Sequence, residues 1–203
     1  FELNDYILIW SLLFQPSVSK GMQDLKEKLW KNYHYSYQSL YKEEAKILKD
    51  PKNYIPADDS IFDMVKMHPI YQEIRQETEN YRLLLSKTYD EYKKELLTNW
   101  KDLVRFDIKL YHVLVLNPYL DYVEMKTVKG KKINTITWGM RKDYENPLLA
   151  LIHLLSHVLR KELKDYQTEY KEIVDAIIEL TIENELATRF LGKSVYLTGD
   201  PSL

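Results

Sequence analysis

The sequence predicts an α+β chain, mostly helical, with a small antiparallel three-stranded sheet placed before two closing helices. Three observations carry this expectation. Apolar residues recur at helical period through 22–48 and again through 69–103. The period then changes to alternation in FDIKLYHVLVL, 106–116, and in the runs DYVEMKTV and KINTITWGM, which flank a turn around Gly130. After them, 146–191 returns to helical period for the rest of its length.

In chain order, residues 5–14 form a short apolar helix stopped by Pro16. A longer helix follows over 22–48, with a seam of Met22, Leu25, Leu29, Trp30, Tyr33, Tyr37, Tyr41 and Ile47. DPKNYIPADDS at 50–60 is a loop, and Asp58 to Ser60 cap a brief helix that ends before Pro69. From Pro69 to about Leu103 one helix continues, long enough at 1.5 Å per residue to reach about 50 Å. Its buried side is marked by Ile70, Ile74, Tyr81, Leu84, Leu85, Tyr89, Tyr92, Leu96 and Trp100. The strand pattern of 106–116 stops at Asn117-Pro118, and His112 shares its inward side with Leu114.

The next helix opens with Asn146 as N-cap and Pro147 at the first helical position, where the missing N–H costs nothing. Leucines, Ile152 and Val158 make it apolar around most of its circumference, which predicts burial on more than one side. His153 and His157 stand one turn apart on one face. The last helix, 166–191, carries one apolar stripe of Tyr166, Tyr170, Ile173, Ile177, Leu180 and Leu191, read as a core face. A second stripe is Ile182, Leu186 and Phe190, and Glu183 falls between the two.

Composition excludes several classes. A net charge of −2 with evenly spread Lys and Arg gives no electrostatic case for nucleic acid. The chain has no cysteine, which rules out disulfides, thiolate metal sites and a Cys nucleophile and fits a cytoplasmic protein. No apolar run is long enough to span a bilayer. The chain starts at Phe1 and not at Met, so a removed signal peptide would leave no trace. Seventeen tyrosines, mostly at helical spacing, are expected at core edges and helix interfaces.

Two imidazoles at four-residue spacing can share one zinc ion. An HxxxH helix followed some tens of residues later by a helix bearing a glutamate resembles the gluzincin type of zincin metallopeptidase, whose motif is HExxH plus a downstream Glu. The resemblance implies a zincin-like C-terminal part, 105–203, behind a helical N-terminal part, 1–104, together forming one domain. It also implies zinc held by His153, His157 and Glu183, with Glu185 as the alternative third ligand. The motif is degenerate: HLLSH puts Leu154 where the general-base glutamate belongs, and Ser156 fills the corresponding place of the inverted motif HxxEH. A leucine takes no proton, so the expectation is a metallopeptidase-like protein that is either an inactive pseudo-enzyme or one in which another residue has taken over the base role.

By the same analogy the strand 133–140 is an edge that accepts a peptide or protein partner, with Trp138 and Gly139 near the cleft. The competing expectation is a helical interaction or scaffold protein without metal, its histidines on a polar stripe with Asn146, Arg160 and Lys164. A ferritin-like di-metal bundle is disfavoured, because no helix supplies the Glu-x-x-His spacing it requires.

Overall fold

The computed structural model describes residues 1–16, 19–104, 111–117, 127–128, 134–139, 146–163 and 167–192. Their contacts cluster into two units: 1–84 with 110–143, and 85–109 with 144–203.

The first unit is built around α1 (Asp5–Phe14), which Asn4 opens by accepting from the N–H groups of Tyr6 and Ile7. Seven consecutive residues of this helix, Ile7 to Leu13, are buried. A helix covered on all sides needs neighbours all round. They are α2 (Lys20–Asn32), α3 (His34–Tyr41), α4 (Glu44–Lys49), α5 (Ser60–Lys66) and the first half of α6 (Pro69–Val104). These supply Met22, Leu25, Leu29, Tyr37, Leu40, Ile47, Leu48, Ile61, Phe62, Val65, Tyr71 and Ile74 to one core.

The single helix expected over 22–48 is three. Tyr33 leaves helical geometry at φ −136° and ψ 39°, and the chain restarts from it as α3. Beyond the break Tyr37 is buried and Tyr41 exposed, and Trp30 and Tyr33 of the expected seam are exposed as well. α5 begins as expected, with the Ser60 N–H donating to Asp58 Oδ1 at 2.9 Å. α6 runs 36 residues, with Leu85, Leu96 and Trp100 buried and Leu84 exposed.

The sheet is three-stranded but mixed, not antiparallel. Its order is β1 (Tyr111–Val115), β3 (Asn134–Trp138), β2 (Thr127–Val128). β2 and β3 pair antiparallel, as the hairpin pattern predicts, while β1 and β3 pair parallel. The physical reason is order. β1 and β3 are separated in the chain by β2, which leaves room for the crossover a parallel pair needs, whereas a meander would force antiparallel pairing. The outer side of β1 is bridged by Glu2, whose N–H donates to Val113 O. His112 is half-buried there, with Nε2 2.6 Å from Glu2 Oε2.

This order corrects a second expectation. β3 lies in the centre with a partner on each side, so it offers no free edge for a peptide strand. Trp138 is buried within the first unit, and its Nε1–H donates to Tyr81 Oη at 3.2 Å. Residues 106–110 of the expected first strand and the turn around Gly130 lie outside the described residues.

The second unit combines the second half of α6 with α7 (Pro147–Glu162), α8 (Gln167–Ile177), a π-helical segment (Ile178–Glu183) and α9 (Asn184–Leu191). Asn146 caps α7 by accepting from the Leu148 N–H, with Pro147 in the first turn as predicted. α7 buries Leu148, Ala150, Leu151, Ile152, Leu154, Val158 and Leu159. α9 ends at Gly192, whose φ of +66° is the left-handed geometry that closes a helix without a Cβ penalty. Among the described residues no helix is long and apolar enough to cross a membrane.

The tyrosines of the first unit yield a pH dependence. Burial pushes Tyr37 and Tyr81 up to about 12. Burial and then a hydrogen bond to a carboxylate, Glu43 for Tyr54 and Asp5 for Tyr71, raise these two further. An unfolded tyrosine ionises near pH 10 or so. A pKa raised in the folded state gives stability that is full below the unfolded value and lost as pH climbs through the folded one. The urea midpoint is therefore expected to fall from about pH 10 to about pH 12, with some tyrosines resisting ionisation until the chain unfolds. A midpoint that stays level across this window, in an absorbance-monitored titration, contradicts the assignment.

Candidate metal centre

The site begins with the pitch of the helix that faces α7. In a regular α-helix the neighbours of Ile178 on one face are residues three and four further on. Here the buried positions are Ile178, Glu183, Leu186 and Ala187. The first step is five residues, the repeat of a π-helix, and the next are three and four. The π-helical segment thus rotates Glu183 onto the buried face, leaving its carboxylate side chain 1% exposed. The expected core stripe faces outwards, and Tyr170 within it leaves helical geometry at φ −127° and ψ 29°. Tyr170, Ile173, Ile177 and Leu180 are all more than half exposed, contrary to their reading as a core face. The second stripe holds, with Leu186 buried and Phe190 edge-on to Tyr92 of α6.

On α7 the one-turn spacing brings the imidazoles of His153 and His157 edge to face, with ring centroids 4.6 Å apart. Their Nε2 atoms are 3.0 Å apart. His153 is buried and His157 half-buried. Glu183 reaches the other nitrogen of His153: its Oε1 and Oε2 lie 3.0 and 3.1 Å from Nδ1. A carboxylate in its charged form only accepts, so the proton of this contact belongs to Nδ1. In the neutral ring, Nε2 then carries the lone pair and faces His157.

A second polar pair extends the same seam. Arg160 Nε of α7 lies 3.4 Å from Asp175 Oδ1 of α8, with both side chains largely covered. The two helices run antiparallel here, basic groups on α7 matched to acids on the following helix. The expected polar stripe on α7 is therefore not a solvated face. Lys164, its last expected member, lies outside the described residues. Nothing in the sequence pattern pointed to Asp175. The signal that would have found it is an acid eight residues before Glu183, set opposite Arg160 seven residues after His153.

Glu185, the alternative ligand, stands apart. Its side chain is about half exposed and accepts from Arg189 Nε at 3.1 Å, one turn along α9. Leu154 is buried at 6% exposure.

The residues fit a divalent transition ion in part. Two ligands on one tetrahedral zinc, each about 2.0–2.1 Å from it, lie about 3.3 Å apart. The 3.0 Å between the Nε2 atoms is close to that separation. The lone-pair directions of Nδ1 and Nε2 diverge within one ring. An ion on His153 Nε2 is thus out of reach of a carboxylate seated on Nδ1. Accordingly, among the described residues no three His, Asp or Glu side chains converge on one point. The geometry holds two nitrogen donors and, behind one of them, the carboxylate that metal-bound histidines commonly have as partner.

Comparison of the chain with protein-family models, with curated proteins and with solved structures finds no match.

The Nδ1–H of His153 is expected as a low-field imidazole proton resonance, slow to exchange because its acceptor is buried. Glu183→Ala should remove it, while Glu185→Ala should leave it in place and change stability by less than about 0.5 kcal/mol. Persistence of the resonance in Glu183→Ala protein refutes the pairing.

Proposed function

We propose that the chain is a metallopeptidase-like, metal-binding protein of zincin layout, with zinc or a similar borderline divalent ion held through His153 and His157. The observation that carries this reading is the pair of Nε2 atoms 3.0 Å apart, backed on Nδ1 of His153 by a buried carboxylate. Imidazole nitrogen suits zinc, cobalt, nickel and copper, and the absence of cysteine removes the thiolate alternative. Bound there, zinc supplies Lewis acidity and a water of lowered pKa. The chain's own residues then do the rest. His153 is fixed in one tautomer by Glu183, His157 lies on the more accessible side, and Leu154 withholds the proton acceptor that peptide hydrolysis needs.

Protein prepared without chelator or affinity-tag metal is expected to carry close to one zinc per chain. His153→Ala should lose it, and acidification through the histidine range should release it, since a protonated imidazole does not ligate. Equal zinc content in wild type and His153→Ala protein ends the reading.

The catalytic half of the proposal has its own test. The unmodified chain should show no turnover of unstructured protein substrates, a missing general base costing roughly 10²–10⁴-fold in rate. Chelator-sensitive proteolysis by the unmodified chain would mean that another group has the base's role. Leu154→Glu restores the spacing of the complete motif and is the natural variant in which to look for a gain.

The competing reading, an interaction or scaffold protein without metal, draws its support from Tyr170, Ile173, Ile177 and Leu180, an exposed apolar stripe along α8 and into the π-helical segment. Four large apolar side chains aligned and open to solvent are the usual mark of an interaction face. Metal content separates the two readings directly.

A further inference from the structure

We infer that Glu183 is the positioning carboxylate of a two-histidine site and does not ligate the ion itself. This rests on the proposed metal-binding reading and departs from the ligand set that the gluzincin pattern implies. The geometry behind it is one-sided. Both carboxylate oxygens of Glu183 lie at 3.0–3.1 Å from Nδ1 of His153, while Nε2 of the same ring is turned to Nε2 of His157. The π-helical segment delivers the carboxylate to this place, and its burial leaves little freedom to swing to the other edge of the ring.

The role has a chemical consequence. A carboxylate on Nδ1–H fixes the tautomer with the lone pair on Nε2, orients the ring and makes that nitrogen a better donor. With two protein donors, an ion that prefers four ligands keeps two positions for water or for added ligands. The site is therefore of the open kind, receptive to small donors such as free imidazole, and not a closed structural centre.

Cobalt(II), with its visible absorption bands, is the probe. The full chain is titrated with cobalt in competition with a chromophoric chelator, and its spectrum is recorded. Wild type is expected to bind one cobalt per chain, and His153→Ala and His157→Ala each to abolish binding. Glu183→Gln keeps an amide oxygen that accepts from Nδ1–H, so it should bind with the band shape of wild type and an affinity lowered by about 10-fold. Glu183→Leu, which accepts nothing, should fall further, towards about 100-fold. In the cobalt-loaded wild type two exchangeable, hyperfine-shifted imidazole N–H signals are expected, one per Nε2-bound ring, with the one from His153 slow to exchange. This readout needs no variant to fold. Added free imidazole should shift the cobalt bands.

Loss of binding in Glu183→Gln as complete as in His153→Ala, together with a folded far-ultraviolet spectrum, makes Glu183 a ligand and overturns the inference while the metal reading stands. Two equally fast-exchanging N–H signals overturn it as well. A wild type that binds no cobalt overturns the metal reading and this inference with it.

Discussion

A buried carboxylate is the constraint on which the second unit turns. Moving an isolated carboxylate from water into a low-dielectric interior costs tens of kcal/mol by idealised solvation, so it persists only with a partner. Glu183, 1% exposed, has the Nδ1–H of His153. Two things follow for the fold. The helix carrying Glu183 must present it towards α7, which the π-helical segment achieves by widening one turn. α7 must also hold a group able to meet it at that height, and an apolar helix with two inset histidines does so. The Arg160–Asp175 pair applies the same logic about two turns away, so the α7–α8 seam is registered by charge as well as by packing. Removing one partner of such a buried pair commonly costs about 3–5 kcal/mol. The seam thus penalises a mismatched pairing of the two helices, since it would leave a buried carboxylate without its partner.

What could be read from the residues was whatever is encoded locally. Asn146 and Pro147 announce α7 because capping and the missing N–H act within one turn. The length of α6 and the brevity of α5 follow from periodicity and proline in the same way. The His153–His157 contact was legible because helix geometry alone stacks residues four apart. Glu183 was legible as the one carboxylate set between apolar stripes, and Glu185 as its more solvated rival, which is how their exposures fall.

The remainder depended on events that periodicity does not record. Alternation says which side chains share a face of a strand but carries no strand direction, so the parallel pairing of β1 and β3 was out of reach. The edge position of β3 came from the zincin analogy and not from the residues, and the central place of β3 in the sheet overturns it. The inversion of the Tyr170–Leu180 stripe has another origin. A hydrophobic pattern assumes 3.6 residues per turn throughout, whereas Tyr170 leaves helical geometry ahead of Ile173 and Ile177, and the π-helical turn shifts the positions that follow it. Tyr33 likewise leaves helical geometry within the helix expected over 22–48. In both places the sequence carries no proline or glycine to announce the departure.

Leu154 shows how site and core compete for one position. It follows His153 on α7, about 100° around the helix, and it is buried. In a hydrolytic zincin that direction has to open on a water, because the glutamate there must reach it. Here the same direction belongs to the apolar interior, which Leu151, Val158 and Leu159 also enter from α7. A charged side chain at this point would need a partner of its own, as Glu183 does, or would be extruded along with part of the packing. On the proposed zincin reading, the missing base is thus more than one altered letter in a motif. The helix that carries the histidines has spent that face on stability, leaving for chemistry the face on which His153 and His157 meet. On the proposed metal-binding reading, an ion between the two imidazoles would sit beside an apolar wall that accepts no proton, which would favour binding over hydrolysis.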